Sequence, residues 1–140
     1  MSQTNPERIP ARKGTEKEAE MRFAVCSSDE NEIGRIRSLL ADCSARLREE
    51  VAVEEFRSEE DFWEAFRPGG FGCVVVGYGD VRGFLLARRV REEDGSCRVI
   101  MLDDTDRYAI RGLRIHLSDY LVRPVEDTRL RAALERQLTE

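Results

Sequence analysis

The chain has 140 residues, of which 41% are apolar and 36% charged; that is about one domain, with too much apolar material for wholesale disorder. No apolar run approaches the roughly 18 residues of a membrane-spanning helix, and the polar start does not read as a signal peptide, so a cytoplasmic domain without a membrane contact is expected. With 28 acids against 23 bases the net charge is −5, which argues against direct nucleic-acid binding. Only Lys13 and Lys17 are lysines, so 21 of the 23 bases are Arg, a lopsidedness that reads as codon bias in a GC-rich genome and not as chemistry. Cys26, Cys43, Cys73 and Cys97 are far apart and form no Cys-x-x-Cys pair. Buried free thiols are expected, not a zinc or redox site.

Residues 1–20 carry two Pro, one Gly and four charges of each sign, the composition of a flexible tail. Two origins fit it, an appended arm or a start codon placed too early. From residue 21 short apolar runs stand at Phe23–Cys26, Val51–Phe56, Phe71–Val76, Val99–Leu102 and Tyr120–Val122. Helically spaced segments separate them. The first carries Ile33, Ile36, Leu40, Cys43 and Leu47. The second opens at Ser58, a good N-cap, buries Phe62, Trp63 and Phe66, and stops at Pro68-Gly69-Gly70. A third is expected from about Phe84 to Glu93. A fourth, from about Asp106, carries Ile110, Leu113 and Leu117, and a fifth carries Leu130, Leu134 and Leu138.

Strands alternating with helices imply βα units and a parallel sheet. Burial on both faces accounts for the unbroken apolar strands, while Glu54 and Glu55 mark VAVEEF as an edge. The expected fold is α/β, flavodoxin-like: a doubly wound five-strand parallel sheet of order 2-1-3-4-5 with helices on both faces, residues 21–140. Such sheets bind ligands in the crevice at the C-terminal ends of the first and third strands. Ser27, Ser28, Asp29 and Gly77 line it here, with Asp103 at the end of the fourth strand.

In order and spacing, MRFAVCSSDENEIGRIRSLL resembles the opening of a bacterial response-regulator receiver domain, and HLSDYLVRP resembles that family's last strand and Lys-Pro turn. AVCSSDE, DRYAIRGL and RLRAALER are most similar to receivers attached to LytTR-type DNA-binding domains. The resemblance spans 21 to about 138 and implies a CheY-like phospho-accepting switch. In it, acids after the first strand help hold Mg²⁺, an Asp ending the third accepts the phosphoryl group, and a Ser or Thr and a Lys contact the phosphate.

Matched position by position, these residues have changed. The acidic pair falls on Ser27 and Ser28, the acceptor on Gly77, the hydroxyl on Asp103 and the lysine on Arg123. Neutral hydroxyls do not replace two carboxylates around a divalent ion, and glycine has no nucleophile. Asp29 and Glu30 read as helix-start acids favoured by the dipole. Asp80 in GYGDVRG is the nearest carboxylate to the lost acceptor and reads as a loop cap; Gly77, Gly79 and Gly83 suggest unusual backbone angles there. An Asp103–Arg123 pair across an empty pocket is expected, the alternative being that both face water. The resemblance also implies a cis Arg123–Pro124 bond and, at Tyr120, an aromatic that moves on activation. The family's interaction face, helix four with strand five and helix five, includes Arg107, Tyr108, Arg111, Leu113, Arg114, Tyr120 and Arg131, fitting either a partner surface or a solvated one.

The run Asp103–Asp106 lacks the Gly and distant Glu of a calcium loop, and His116, the one histidine, has no triad partners. No nucleophile–base pair is visible, so no enzyme and no cofactor is expected. The reading is a pseudo-receiver that regulates by phosphorylation-independent protein contact or dimerisation. The alternatives are an unconventionally phosphorylated receiver of a transcription regulator, with its DNA-binding domain elsewhere, and a small-molecule sensor using the emptied crevice.

Overall fold

A computed structural model describes residues 20–139, so all but Glu20 of the expected tail lies outside the described residues. The elements in chain order are β1 Met21–Cys26, α1 Glu30–Leu47, β2 Val51–Phe56, α2 Glu59–Ala65, β3 Cys73–Val76, α3 Asp80–Glu93, β4 Arg98–Asp103, α4 Ala109–Arg114, β5 Asp119–Val122 and α5 Asp127–Thr139. All strand pairs are parallel and the order is β2-β1-β3-β4-β5, as expected, with β2 at an edge.

Alternation along the buried strands builds two cores. Phe23, Val25, Val75, Ile100 and Leu102 face α1 and α5, where they meet Ile33, Ile36, Leu40, Leu130 and Leu134. Ala24, Cys26, Val74, Val76 and Val99 face α2 and α3, against Phe62, Phe66, Leu86 and Val90. Each fully buried large side chain is worth about 1.5–3 kcal/mol, so both layers hold the sheet. Glu54 and Glu55 on the edge strand are balanced by Arg22 and by Arg37 and Arg57. The four cysteines are free and buried. Ser58 caps α2 through the Asp61 N–H at 3.1 Å.

Two helices differ from expectation. α3 begins at Asp80, not near Phe84. Its first N–H is capped from another strand, by Asp103 Oδ1 at 2.8 Å, and Gly79 makes the entry turn at φ 76, a left-handed angle that glycine adopts without a Cβ penalty. Of the three loop glycines only Gly79 has a positive φ. α4 is shorter than expected, and its apolar spacing does not mark a buried stripe: Ile110 and Leu113 are 67% and 73% exposed. Its inward position is Gly112, packed on Leu117 beyond the helix end. No helix among the described residues is long and apolar enough to cross a membrane.

Candidate functional site

The C-terminal ends of β1, β3, β4 and β5 converge on a network of charges. Asp29 caps α1, accepting the Asn31 N–H at 2.9 Å and the Glu32 N–H at 3.4 Å. Glu32, in the first turn, directs its carboxylate inward. Arg123 grips it with a fork, Nε to Oε2 at 2.8 Å and an Nη2 hydrogen to Oε1 at 2.9 Å, while the Ser27 hydroxyl donates to Oε1 at 3.0 Å. The Glu32 side chain is 9% exposed and that of Arg123 25%. Arg123 also donates to the Gly77 carbonyl at 2.5 Å and to Asp104 at 3.2 Å. Its pKa lies above the ordinary arginine value, through the hydrogen bond to Glu32 first and that carboxylate's charge next, against the opposing effect of burial.

Gly77 makes this arrangement sterically possible. A Cβ at residue 77 would stand 2.7 Å from Glu32 Oε1 and 3.0 Å from the Cys26 carbonyl oxygen. The Glu32 carboxylate thus occupies the volume that a side chain on Gly77 would enter.

Asp103 belongs to a second, adjoining network. Its Oδ1 accepts the Asp80 and Asp104 N–H groups at 2.8 and 2.7 Å, and its Oδ2 accepts the Tyr120 hydroxyl at 2.6 Å. Burial alone pushes this carboxyl upward. The backbone donor of Asp80, the Tyr120 hydroxyl, the Asp104 N–H and the Arg123 charge together outweigh it, and the pKa falls below the ordinary value. The Tyr120 phenol is raised by burial and by that same carboxylate.

The expected Asp103–Arg123 pair is therefore not formed. Arg123 takes Glu32 and Asp104, and backbone and phenol donors saturate Asp103 before a guanidinium is needed. Nor do both simply face water, as the alternative had it: Asp103 is buried, and Arg123 borders the cleft with its donors engaged. The crevice is not empty at Gly77 either, because Glu32 fills it. The open cleft of 620 Å³ lies to one side, between the start of α1 and the turn after β5, with Asn31, Arg35 and Val125 among its lining residues. Ser27 is buried within the network, but Ser28 is exposed outside it. The Asp80 carboxylate is 74% exposed and pairs with Arg107 at 3.7 Å.

The expected interaction face is divided. Arg111 and Leu113 are exposed. Tyr108 is 6% exposed and stacks on Phe84, ring centroids 5.1 Å apart, so it is core. Tyr120 is half-buried and bonded to Asp103. Arg131 pairs with Asp42 of α1, which removes it from that face. Arg123–Pro124 is cis, and His116 is an exposed helix-end residue.

No family model matches the chain, and no curated protein does. Solved structures do. The response regulator DrrB of Thermotoga maritima, an OmpR/PhoB homologue, superposes with a TM-score of 0.71 at 23% identity, over 86% of this chain and 54% of that one. The non-phosphorylated HemR receiver domain from Leptospira biflexa gives 0.74 at 18% identity, covering 86% and 96%. An orphan response regulator of H. pylori, HP1043, gives 0.67 at 20% identity, covering 84% and 96%. The fold is that of CheY-like receiver domains, and the chain spans about half the length of the DrrB chain it matches.

Proposed function

We propose that this domain is a receiver-type signalling module of a two-component response regulator in the cytoplasm, working without phosphorylation and through protein contact. One observation carries the reading: where the resemblance puts the acceptor there is Gly77, and the Glu32 carboxylate, already neutralised by Arg123, stands in the space beside it. A phosphoryl group entering there would find its cation engaged and Asp103 and Asp104 close by, an arrangement that repels a dianion. Nothing in the pocket waits for phosphate to complete it.

A phosphate-independent module has to act through a surface. Ile110 and Leu113 present an apolar pair beside Arg111 and Arg114 on α4, which supports docking of a protein partner or a second copy there. The fragments similar to LytTR-type receivers support transcription control as the output, exercised by a separate DNA-binding module. The test is incubation with acetyl phosphate and Mg²⁺, followed by intact mass, and with beryllofluoride and Mg²⁺, followed by backbone amide spectra. Both are expected to leave the protein unchanged. A stoichiometric phosphoryl adduct on any Asp or Glu would overturn the proposal.

A further inference from the structure

We infer that the pocket contains a carboxylate-binding site which the chain fills in cis with Glu32, and which takes a small free carboxylate such as formate once that side chain is removed. The donors are a planar guanidinium fork and one hydroxyl: Arg123 Nε and Nη2 at 2.8 and 2.9 Å and Ser27 Oγ at 3.0 Å from the two Glu32 oxygens. Two parallel N–H donors match the two oxygens of a carboxylate.

Each donor is held independently of Glu32. Arg123 is anchored by the Gly77 carbonyl at 2.5 Å and by Asp104 at 3.2 Å. Ser27 is 1% exposed, and its Oγ accepts the Asp29 N–H at 3.1 Å. The receptor half of the contact therefore outlasts loss of the ligand half. Gly77 adds no side chain to the space, and the adjoining 620 Å³ cleft, lined by both Glu32 and Arg123, gives a small anion a route in.

Charge selects the ligand class. The buried Asp103 carboxylate and the exposed Asp104 carboxylate lie close to Arg123. A planar monoanion matches the fork; a phosphate dianion adds a charge, and the other guanidinium lining the cleft, Arg35, is already held by Asp127 and the Val125 carbonyl. In the parent protein the tethered Glu32 carboxylate outcompetes free carboxylates, as any intramolecular ligand at high effective concentration does.

This chemistry holds whether or not the domain signals without phosphorylation, because it is read by stability and not by phosphoryl acceptance. Thermal unfolding of Glu32→Ala is followed in sodium formate, sodium chloride and sodium phosphate at equal ionic strength. Formate is expected to raise the midpoint of Glu32→Ala saturably, while the parent and Glu32→Ala/Arg123→Ala do not respond. At formate about tenfold above its Kd, linkage raises the folding constant about elevenfold. An equal response in parent and variant, or phosphate acting as well as formate, overturns the inference. If Glu32→Ala is too unstable to read thermally, its refolding from urea into the same three salts is compared instead. Formate alone is expected to restore the folded signal, and no more restoration by formate than by chloride overturns the inference as well.

Discussion

Replacing Arg123 by Ala removes the cation that Glu32 and the end of β5 are built around. The Glu32 side chain is 9% exposed and Arg123 25%, so their contact lies nearer the buried than the surface limit. Exposed pairs are worth about 0–1 kcal/mol, whereas stranding one member of a buried pair costs about 3–5 kcal/mol. Allowing for partial solvation of the guanidinium, Arg123→Ala is expected to destabilise by about 2–4 kcal/mol. The Asp104 contact adds little, since that carboxylate is 78% exposed. At this chain length about 3–4 °C accompanies each kcal/mol, so the thermal midpoint falls by about 6–16 °C. Glu32→Gln in the Arg123→Ala background neutralises the stranded anion, and a coupling of about 1.5–3 kcal/mol is expected between the two sites by urea titration. The same cycle run between Asp103→Asn and Arg123→Ala is expected to couple by less than about 1 kcal/mol, the range of charges without a direct bond. Arg123→Ala within about 0.5 kcal/mol of the parent, or a larger coupling to Asp103 than to Glu32, would refute the reasoning.

Tyr120→Phe deletes the 2.6 Å hydrogen bond to Asp103, a charged-acceptor bond expected to cost about 1.5–3 kcal/mol. Because the folded Asp103 pKa is depressed, its contribution is present above the unfolded value near 4 and is lost as pH falls through the folded one. The acid-unfolding limb of Tyr120→Phe should therefore move to higher pH, and an unmoved limb counts against the bond. The thiols of Cys26 and Cys73 are pushed up by burial, and that of Cys97 to about 12 by burial and then by Asp94. A disulfide reagent at pH 8 should label them only after unfolding in urea, and fast native labelling would contradict the buried placement. Ile110→Ser/Leu113→Ser alters two side chains that are 67% and 73% exposed, so stability should stay within about 0.5 kcal/mol. Self-association or partner capture, read by solution mass and pull-down, should fall; assembly like the parent's would remove α4 as the docking face.

The sheet was legible because a strand covered on both faces writes itself as an unbroken apolar run, as CVVV does, and because Glu54 and Glu55 signal an edge. Helix limits set by tertiary contacts were not. The first N–H of α3 is satisfied by Asp103, 23 residues away, so nothing near Asp80 announces a helix start. In α4 the apolar positions looked like a buried stripe, yet the side that packs is Gly112 against Leu117. Periodicity identifies a face, and does not say whether that face is covered by this chain.

The site shows the same limit more sharply, because its key residue carries a pattern with a different local meaning. Glu32 stands three residues after the N-cap Asp29, the spacing of a capping box, in which the acid reaches back to the N-cap N–H. Here the Ser27 hydroxyl takes that N–H at 3.1 Å, which leaves the Glu32 carboxylate to turn inward. Arg123, which receives it, lies 91 residues away, and Gly77, which makes room for it, lies on β3's end between them. Each of the three has an ordinary local explanation: a capping acid, a turn glycine, an arginine before proline. Only convergence of the C-terminal ends of β1, β3 and β5 makes them parts of one contact. Gly77 read as the loss of a carboxylate; in three dimensions the Glu32 carboxylate of α1 stands beside it, neutralised by Arg123.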